Sequence, residues 1–400
     1  MNTEPLSIVD VTLLSGTVTN LRIVDGVVAA VGEAPHQGDT VLHADRRLAL
    51  PAMAEAHAHL DKAYLSETVP NPTGDLMGAI VNMEAHRHLI TRADTEARAE
   101  RAARRLAANG ATAIRTHADV TEGNGLDSVQ ALLAVRDRLR HLVHIEVFAL
   151  CGWPVVGSAG AAQRSLLADA IALGVDGVGG CPHLEDDETA AVDFFLQCAA
   201  DAGLPLDLHT DEHLDPARST LAHLAARVAE GYQQRVAASH CVSLAMRPEA
   251  EQRAIAEALA TAGVSVIALP ASNLFLQGRE LPVGMPRALA PVGVLRAAVV
   301  NVAAGWDNLQ DPFNPVGRGD CLETAALMVM AGHQLPDDAY HSVSGAVREL
   351  MGLPHAAPAL GAVADLVLLP SHSVRAAIAD APTDRIVLRA GAIVHHGTPR

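Results

Sequence analysis

From about residue 94 to residue 307 the chain repeats one pattern: an alanine-rich stretch with helical spacing stops at a glycine, and a short apolar run follows at once. Asp94-Thr95-Glu96 can cap a helix that ends at Asn109-Gly110, and Ala111 to Asp119 reads as the strand behind it. Ala161 to Leu173 ends at Gly174 before Val175 to Cys181. Pro216 to Glu230 ends at Gly231 before Arg235 to His240. Further strand candidates are His144 to Leu150, Pro205 to His209, Val264 to Leu269 and Ala298 to Ala304, with Leu48 to His57 leading the series. About eight such units in roughly 300 residues point to an α/β fold of the (β/α)8 TIM-barrel type rather than an open sheet.

The ends of the chain read differently. Ser7 to Leu14 and Val18 to Val24 are strand-like, and Asp25-Gly26 is a hairpin signal before Val27 to Val31. Ala364 to Leu369, Arg385 to Arg389 and Ala392 to His395 repeat that style. The expected organisation is a small β-sandwich domain formed by both termini, residues 1–48 with 356–400, around a barrel at 49–355.

Bulk properties exclude several classes of function. No apolar run reaches the roughly 20 residues of a membrane span, and Met1 to Pro5 lack the layout of a signal peptide, so a cytoplasmic location with no membrane partner is expected. A net charge of −17 argues against nucleic acid, whose phosphates demand a basic footprint. The five cysteines are scattered with no Cys-x-x-Cys pair, which disfavours disulfides and a cysteine zinc site.

In a barrel of this type chemistry sits at the C-terminal strand ends. Those ends carry His57-Ala-His59, Thr116-His117-Ala-Asp119, His209-Thr-Asp-Glu212, Ser239-His240 and Asp307-Asn308. The physical sense is a mononuclear metal site. His57, His59 and His209 supply neutral nitrogens, Asp307 supplies an oxygen, and an open position takes a water acidified by the metal. Asp307 can also take up the proton as hydroxide attacks, Glu212 can protonate a ring nitrogen, and His240 is placed to stabilise developing charge or to orient the attacking water. Taken singly, each has a plainer reading as a polar strand terminus or helix cap. His117 and Asp119 are as well explained by a layer behind the ligands as by contact with substrate.

These segments, together with Asn273-Leu-Phe-Leu-Gln-Gly-Arg279 and Asp307-Asn-Leu-Gln-Asp311-Pro, resemble the amidohydrolase superfamily and, within it, the bacterial cytosine deaminase branch. The resemblance spans essentially the whole chain. It implies one divalent metal per subunit on His57, His59, His209 and Asp307, with Glu212 and His240 catalytic beside Asp307. Zinc is the default for this ligand set, and the branch also uses iron(II). A small heterocyclic substrate and a homo-oligomer are implied as well.

Lys62 is the only lysine in the chain. Binuclear relatives bridge two metals with a carboxylated lysine on strand four, and Val175 to Pro182 offers none, so that bridge cannot form. Glu185, a few residues past the strand, is the remaining candidate for a carboxylate bridge. The substrate-reading positions depart from the family. Where cytosine deaminases place a glutamine after strand three, this chain has Cys151-Gly152-Trp153. The aspartate after the strand-eight ligand is Asn308, as in enzymes that strip alkylamines from triazine rings, and Phe313 replaces a family tryptophan. The expectation is therefore a metal-dependent aminohydrolase that deaminates a small N-heterocycle, of cytosine or isocytosine size, by metal-hydroxide attack with release of ammonia. Cys151, Gly152, Asn308 and Phe313 would shape its pocket. The alternatives are amine loss from an N-substituted triazine-like ring, opening of a cyclic amide, and a non-catalytic barrel used in assembly.

Overall fold

The computed structural model describes residues 4–397. Eight strands run parallel in chain order: β6 (Met53–Ala58), β7 (Ala111–Val120), β8 (His144–Cys151), β9 (Gly177–Gly180), β10 (Leu206–Thr210), β11 (Val236–His240), β12 (Ser265–Ala268) and β13 (Val302–Ala304). The barrel closes where β13 runs on to β6. Asp307 N–H donates to His57 O at 3.1 Å, and His59 N–H donates to Asp307 O at 3.0 Å. Closure and the metal-ligand candidates thus occupy the same residues.

The inward and outward faces follow the period-two rule of strands. Ile114, Val236, Ala238, Val266, Ala268, Val302 and Ala304 face the surrounding helices. Their neighbours Ala113, Ala237, Ile267 and Ala303 face inward, where the helix Gly345–Met351 plugs the floor with Ala346, Val347 and Leu350. Above that apolar floor the interior turns polar. Arg115 donates to Glu146 at 3.0 Å and to Asp207 at 3.1 Å, with its guanidinium 4.3 Å from the centre of the Phe148 ring. The histidines lie above this charged layer.

Strand β9 reads Gly-Val-Gly-Gly, and two of its glycines are required by close approach. A Cβ at Gly177 would overlap the Phe148 ring, and one at Gly180 the Phe195 ring. The Phe148 ring fills the barrel interior beside Gly177, and the Phe195 ring fills the helix-facing side beside Gly180.

Both termini join one eight-stranded sheet separate from the barrel. It comprises β1 (Leu6–Thr12), β2 (Val18–Val24), β3 (Val27–Val31), β4 (Thr40–His43), β5 (Leu48–Pro51), β14 (Leu366–Leu369), β15 (Ile386–Arg389) and β16 (Ala392–His396). Strand β1 forks, pairing with β4 at Leu6 to Val9 and with β5 at Thr12. Alternation on β14 joins the two units: Leu366 and Leu368 fill the core of the terminal sheet, while Val367 and Leu369 belong to the barrel core. Arg385, fully buried just before β15, forms a two-point pair with Asp320 of the barrel at 2.9 and 2.6 Å. Among the described residues, no helix is long and apolar enough to cross a membrane.

Three sequence expectations shift. The run from Leu48 to His57 is two strands, β5 in the terminal sheet and β6 in the barrel. Pro51 has no N–H to extend the ladder, and Ala52 N–H turns to Asp365 O. The helix expected from Pro216 begins at Leu221, because Ser219 and Thr220 wrap around the Asp211 carboxylate. The helix expected to be capped near Asp94 starts at Arg92, with Thr91 accepting from Asp94 N–H.

The Arg385–Asp320 pair yields a stability prediction. Asp320→Ala strands a buried guanidinium and removes the side chain that accepts Leu322 N–H at the start of a barrel helix. Loss of one partner of a buried ion pair costs about 3–5 kcal/mol. Urea unfolding of the variant should show a drop of that size, and a change under about 1 kcal/mol would mean the pair carries no such weight.

Candidate metal centre and pocket

The four expected ligands converge. His57 Nε2 and His59 Nε2 each lie 3.2 Å from His209 Nε2. Asp307 Oδ1 lies 3.2 Å from His59 Nε2 and 3.6 Å from His57 Nε2. All four side chains are buried. Burial, reinforced by the neighbouring imidazoles with His117 first among them, holds His57 and His209 far below the usual histidine range, so both rings are neutral. Where no ring proton stands between them, the lone pairs of nitrogens this close repel one another, and Asp307 Oδ1 is buried with no hydrogen-bond donor. A shared cation answers both problems. A tetrahedral centre with bonds of ~2.0–2.1 Å separates its ligand atoms by roughly 3.3 Å, which matches the spacing found here.

The strand ends deliver these groups through unusual backbone. His240 has φ 70°, Asp307 φ 72° and Asp211 φ 53°, all left-handed conformations in non-glycine residues. At β6 a bulge between Glu55 and Ala58 re-aims His57, with Glu55 accepting His57 N–H at 3.0 Å. Ser272 donates to Asp307 Oδ2 and so fixes which oxygen faces the histidines.

Glu212 lies beside the cluster. Its Oε1 is 3.4 Å from His240 Nδ1, and Asn273 Nδ2 approaches it at 3.5 Å and His240 at 3.0 Å. Burial, with the Asp307 charge second, pushes the Glu212 carboxyl well above its ordinary range and so favours its protonated form. Burial likewise brings His240 down to about 4.

A cavity opens above these groups. Its walls include Cys151, Gly152, Asn308 and Phe313, the four positions expected at the substrate, together with His59, Glu212, His240 and Asp307. Asn308 donates to Asp311 at 2.9 Å, and Asp311 also accepts Phe313 N–H at 2.8 Å, so one buried carboxyl shapes the turn that carries both pocket residues. Burial pushes that carboxyl up to about 6.

Sequence reading missed one wall. The helix Leu76–His86 leans over the cavity with Leu76, Ile80, Met83 and Glu84, and Arg87 follows. Their spacing of three and four residues was the available signal. Arg87 reaches down to Asp119 Oδ2 at 3.1 Å while Lys62 holds Asp119 Oδ1 at 2.5 Å. Lys62 lies 3.6 Å from its chain neighbour Asp61, and its shorter contact is with Asp119. His117 is not in the cavity wall but stacks behind His57, with ring centres 4.1 Å apart. Glu185 is committed elsewhere: it accepts Val155 N–H at 2.5 Å.

Residues 66–395 match the amidohydrolase family. The chain belongs to that family. It is 31% identical over 390 residues to a pterin deaminase of Rhizobium rhizogenes, covering 95% of this chain and 88% of that protein. Among solved structures, 5-methylcytosine deaminase from Klebsiella pneumoniae superposes with a TM-score of 0.89 at 27% identity, covering 98% of each chain. N-isopropylammelide isopropylaminohydrolase from Burkholderia multivorans superposes with a TM-score of 0.85 at 28% identity, covering 99% of each. This amidohydrolase is a hydrolase acting on C–N bonds, and its histidine–aspartate cluster suits a divalent metal.

The donor geometry predicts uptake of about one divalent metal per chain. His209→Ala removes the nitrogen common to both short contacts and should weaken zinc affinity at least 10-fold, roughly the low end for loss of a supporting group alone. Competition with a chromophoric chelator measures it; unchanged affinity would place the metal elsewhere.

Proposed function

We propose that this amidohydrolase is a metal-dependent aminohydrolase that replaces the exocyclic amine of a small nitrogen heterocycle with oxygen, releasing ammonia. The observation that carries the reading is the buried Glu212 carboxyl, placed in the wall of the same cavity as His59, His209 and Asp307 where burial favours its protonated form. We assign His57, His59, His209 and Asp307 as ligands, zinc as the metal favoured by that donor set and iron(II) as its alternative. When bound, the metal supplies Lewis acidity and an acidified water.

The chain's own groups supply the rest. Glu212 donates its proton to the ring nitrogen next to the amine-bearing carbon, which makes that carbon electrophilic. Asp307, held by Ser272 through Oδ2, receives a proton from the attacking water and hands it to the departing amine. His240, neutral at about pH 7 because burial lowers it, hydrogen-bonds the developing charge or orients the water, with Asn273 fixing its ring. Cys151, Gly152, Asn308 and Phe313 bound the ring. The balance is a ring C–NH2 plus water giving a ring carbonyl with N–H, plus ammonia.

A second reading is supported by Asn308: loss of an alkylamine from an N-substituted triazine-like ring. A panel of amino-pyrimidines, amino-pterins and N-alkylamino-triazines, assayed for ammonia and for alkylamine, separates the two. Ammonia from an unsubstituted amine supports the deaminase; alkylamine alone supports the second reading; turnover of neither, with a cyclic amide opened instead, overturns both.

Glu212→Gln keeps the shape and loses the proton. Its kcat should fall by roughly 10²–10⁴-fold while metal content stays at the wild-type level. The pH profile follows from the sign of the shift. A raised carboxyl stays protonated below its folded pKa and loses the proton above it, so wild-type kcat should hold at neutral pH and decline on the alkaline side. An acid-side decline alone would assign Glu212 the role of base.

A further inference from the structure

Behind the ligand cluster, three inward-facing side chains on three strands form a line that the proposed reaction does not use. His57 Nδ1 lies 2.9 Å from Ser239 Oγ, and Ser239 Oγ donates to Asp207 Oδ1 at 2.6 Å. Asp207 Oδ2 accepts from Arg115 Nη1 at 3.1 Å. All of these residues are buried, and neither Ser239 nor Asp207 is in the cavity wall.

The direction of each hydrogen bond follows from a proton count. An ionised carboxylate offers only lone pairs, so the short Ser239–Asp207 contact must hold the one hydroxyl proton of Ser239. Ser239 Oγ then has only lone pairs for His57, and His57 Nδ1 must carry its ring proton. Nε2 is left bare, pointing at His209 Nε2 and Asp307. That is the tautomer a metal ligand requires. The other two rings lack this device: His209 Nδ1 has no hydrogen-bond partner, and His59 Nδ1 faces Lys62 Nζ at 3.1 Å.

We propose that Ser239 and Asp207 are positioning residues that fix the ligating tautomer of His57, with Arg115 anchoring Asp207 from below. The proposal rests on the metal-dependent reading, and it concerns affinity for the metal rather than contact with substrate. Ser239 is the residue directly before His240, so one strand end serves both layers: the left-handed turn at His240 swings that ring toward Glu212 while Ser239 points at His57.

The test uses the full chain and two readouts. Zinc affinity, measured by competition with a chromophoric chelator, should weaken roughly 10–100-fold in Ser239→Ala and return close to wild type in Ser239→Thr, which keeps the hydroxyl. The His57 tautomer, read from imidazole ¹⁵N signals of the metal-free protein, should be Nδ1–H in wild type and mixed in Ser239→Ala. In Asp207→Asn the amide can donate to Ser239 Oγ, releasing the hydroxyl proton toward His57 Nδ1, so the Nε2–H form should grow. Wild-type affinity and tautomer in both Ser239→Ala and Asp207→Asn would overturn the proposal and leave the three residues as strand-to-strand packing. A wild-type chain that takes up no divalent metal would instead sink the metal-dependent reading, while its His57 tautomer would still judge the relay.

Discussion

A guanidinium buried inside a barrel sets the terms for everything above and below it. Arg115 has almost no contact with solvent, and stranding such a charge would cost several kcal/mol. Its charge is paired by Glu146 from β8 and Asp207 from β10, which reach it across the interior, and the Phe148 ring lies against its face. Phe148 in turn excludes any side chain from Gly177, so β9 carries a glycine where it passes this layer. Below, the interior can be apolar and closed by the helix Gly345–Met351; above, Asp207 hands its second oxygen to Ser239 and the histidine layer begins.

The upper layer is assembled at the cost of backbone strain. Left-handed conformations at Asp211, His240 and Asp307 run against the preference of L-residues by roughly 1–3 kcal/mol each where nothing local relieves them. The parallel ladder holds them there. Thr210 pairs in register with His240, and the Ala58–Asp307 bridge closes the barrel at the ligand residues themselves. A set of neutral imidazoles and one carboxylate that repel or lack partners is thereby kept within ligand distance of one another.

Much of this was legible in the sequence because it is local. Gly110, Gly174 and Gly231 mark where helices stop and strands start, and His57, His209, Ser239-His240 and Asp307 are recognisable as polar residues at the ends of apolar runs. What was illegible is non-local. Nothing near Arg115 in the chain announces that its carboxylate partners lie 31 and 92 residues away. Pairing of Lys62 with Asp119 rather than with its neighbour Asp61 is decided by where β7 ends in space. The break after Pro51 depends on a strand that arrives more than 300 residues later, since β5 needs β14 to leave the barrel. The helix over the cavity escaped notice because its apolar residues are divided: Leu76 and Ile80 face the cavity, Met83 also packs on Leu65 and Val69, and Met77 and Val81 are exposed, so no single apolar stripe marks it.

The division between strands and loops also bears on how such a barrel changes substrates. The histidine–aspartate cluster, Glu212 and His240 stand at strand ends that the ladder fixes, whereas the other cavity walls are the helix Leu76–His86, the Cys151–Trp153 segment and the turn bearing Asn308 and Phe313. At the second of these walls the restriction is steric. A Cβ added at Gly152 would come 3.1 Å from Thr121 Cγ2 and 3.3 Å from Gln163 Oε1, and Gln163 is itself engaged with Val120 O and Cys151 Sγ. A side chain at position 152 would therefore press on Thr121 and on that buried glutamine, which would have to give by a few tenths of an ångström. Polar contacts in the cavity come instead from the other walls, where the segment after β6, the overhanging helix and the turn after β13 present their side chains, and the same strand-end frame can carry a differently shaped cavity by changing only those segments.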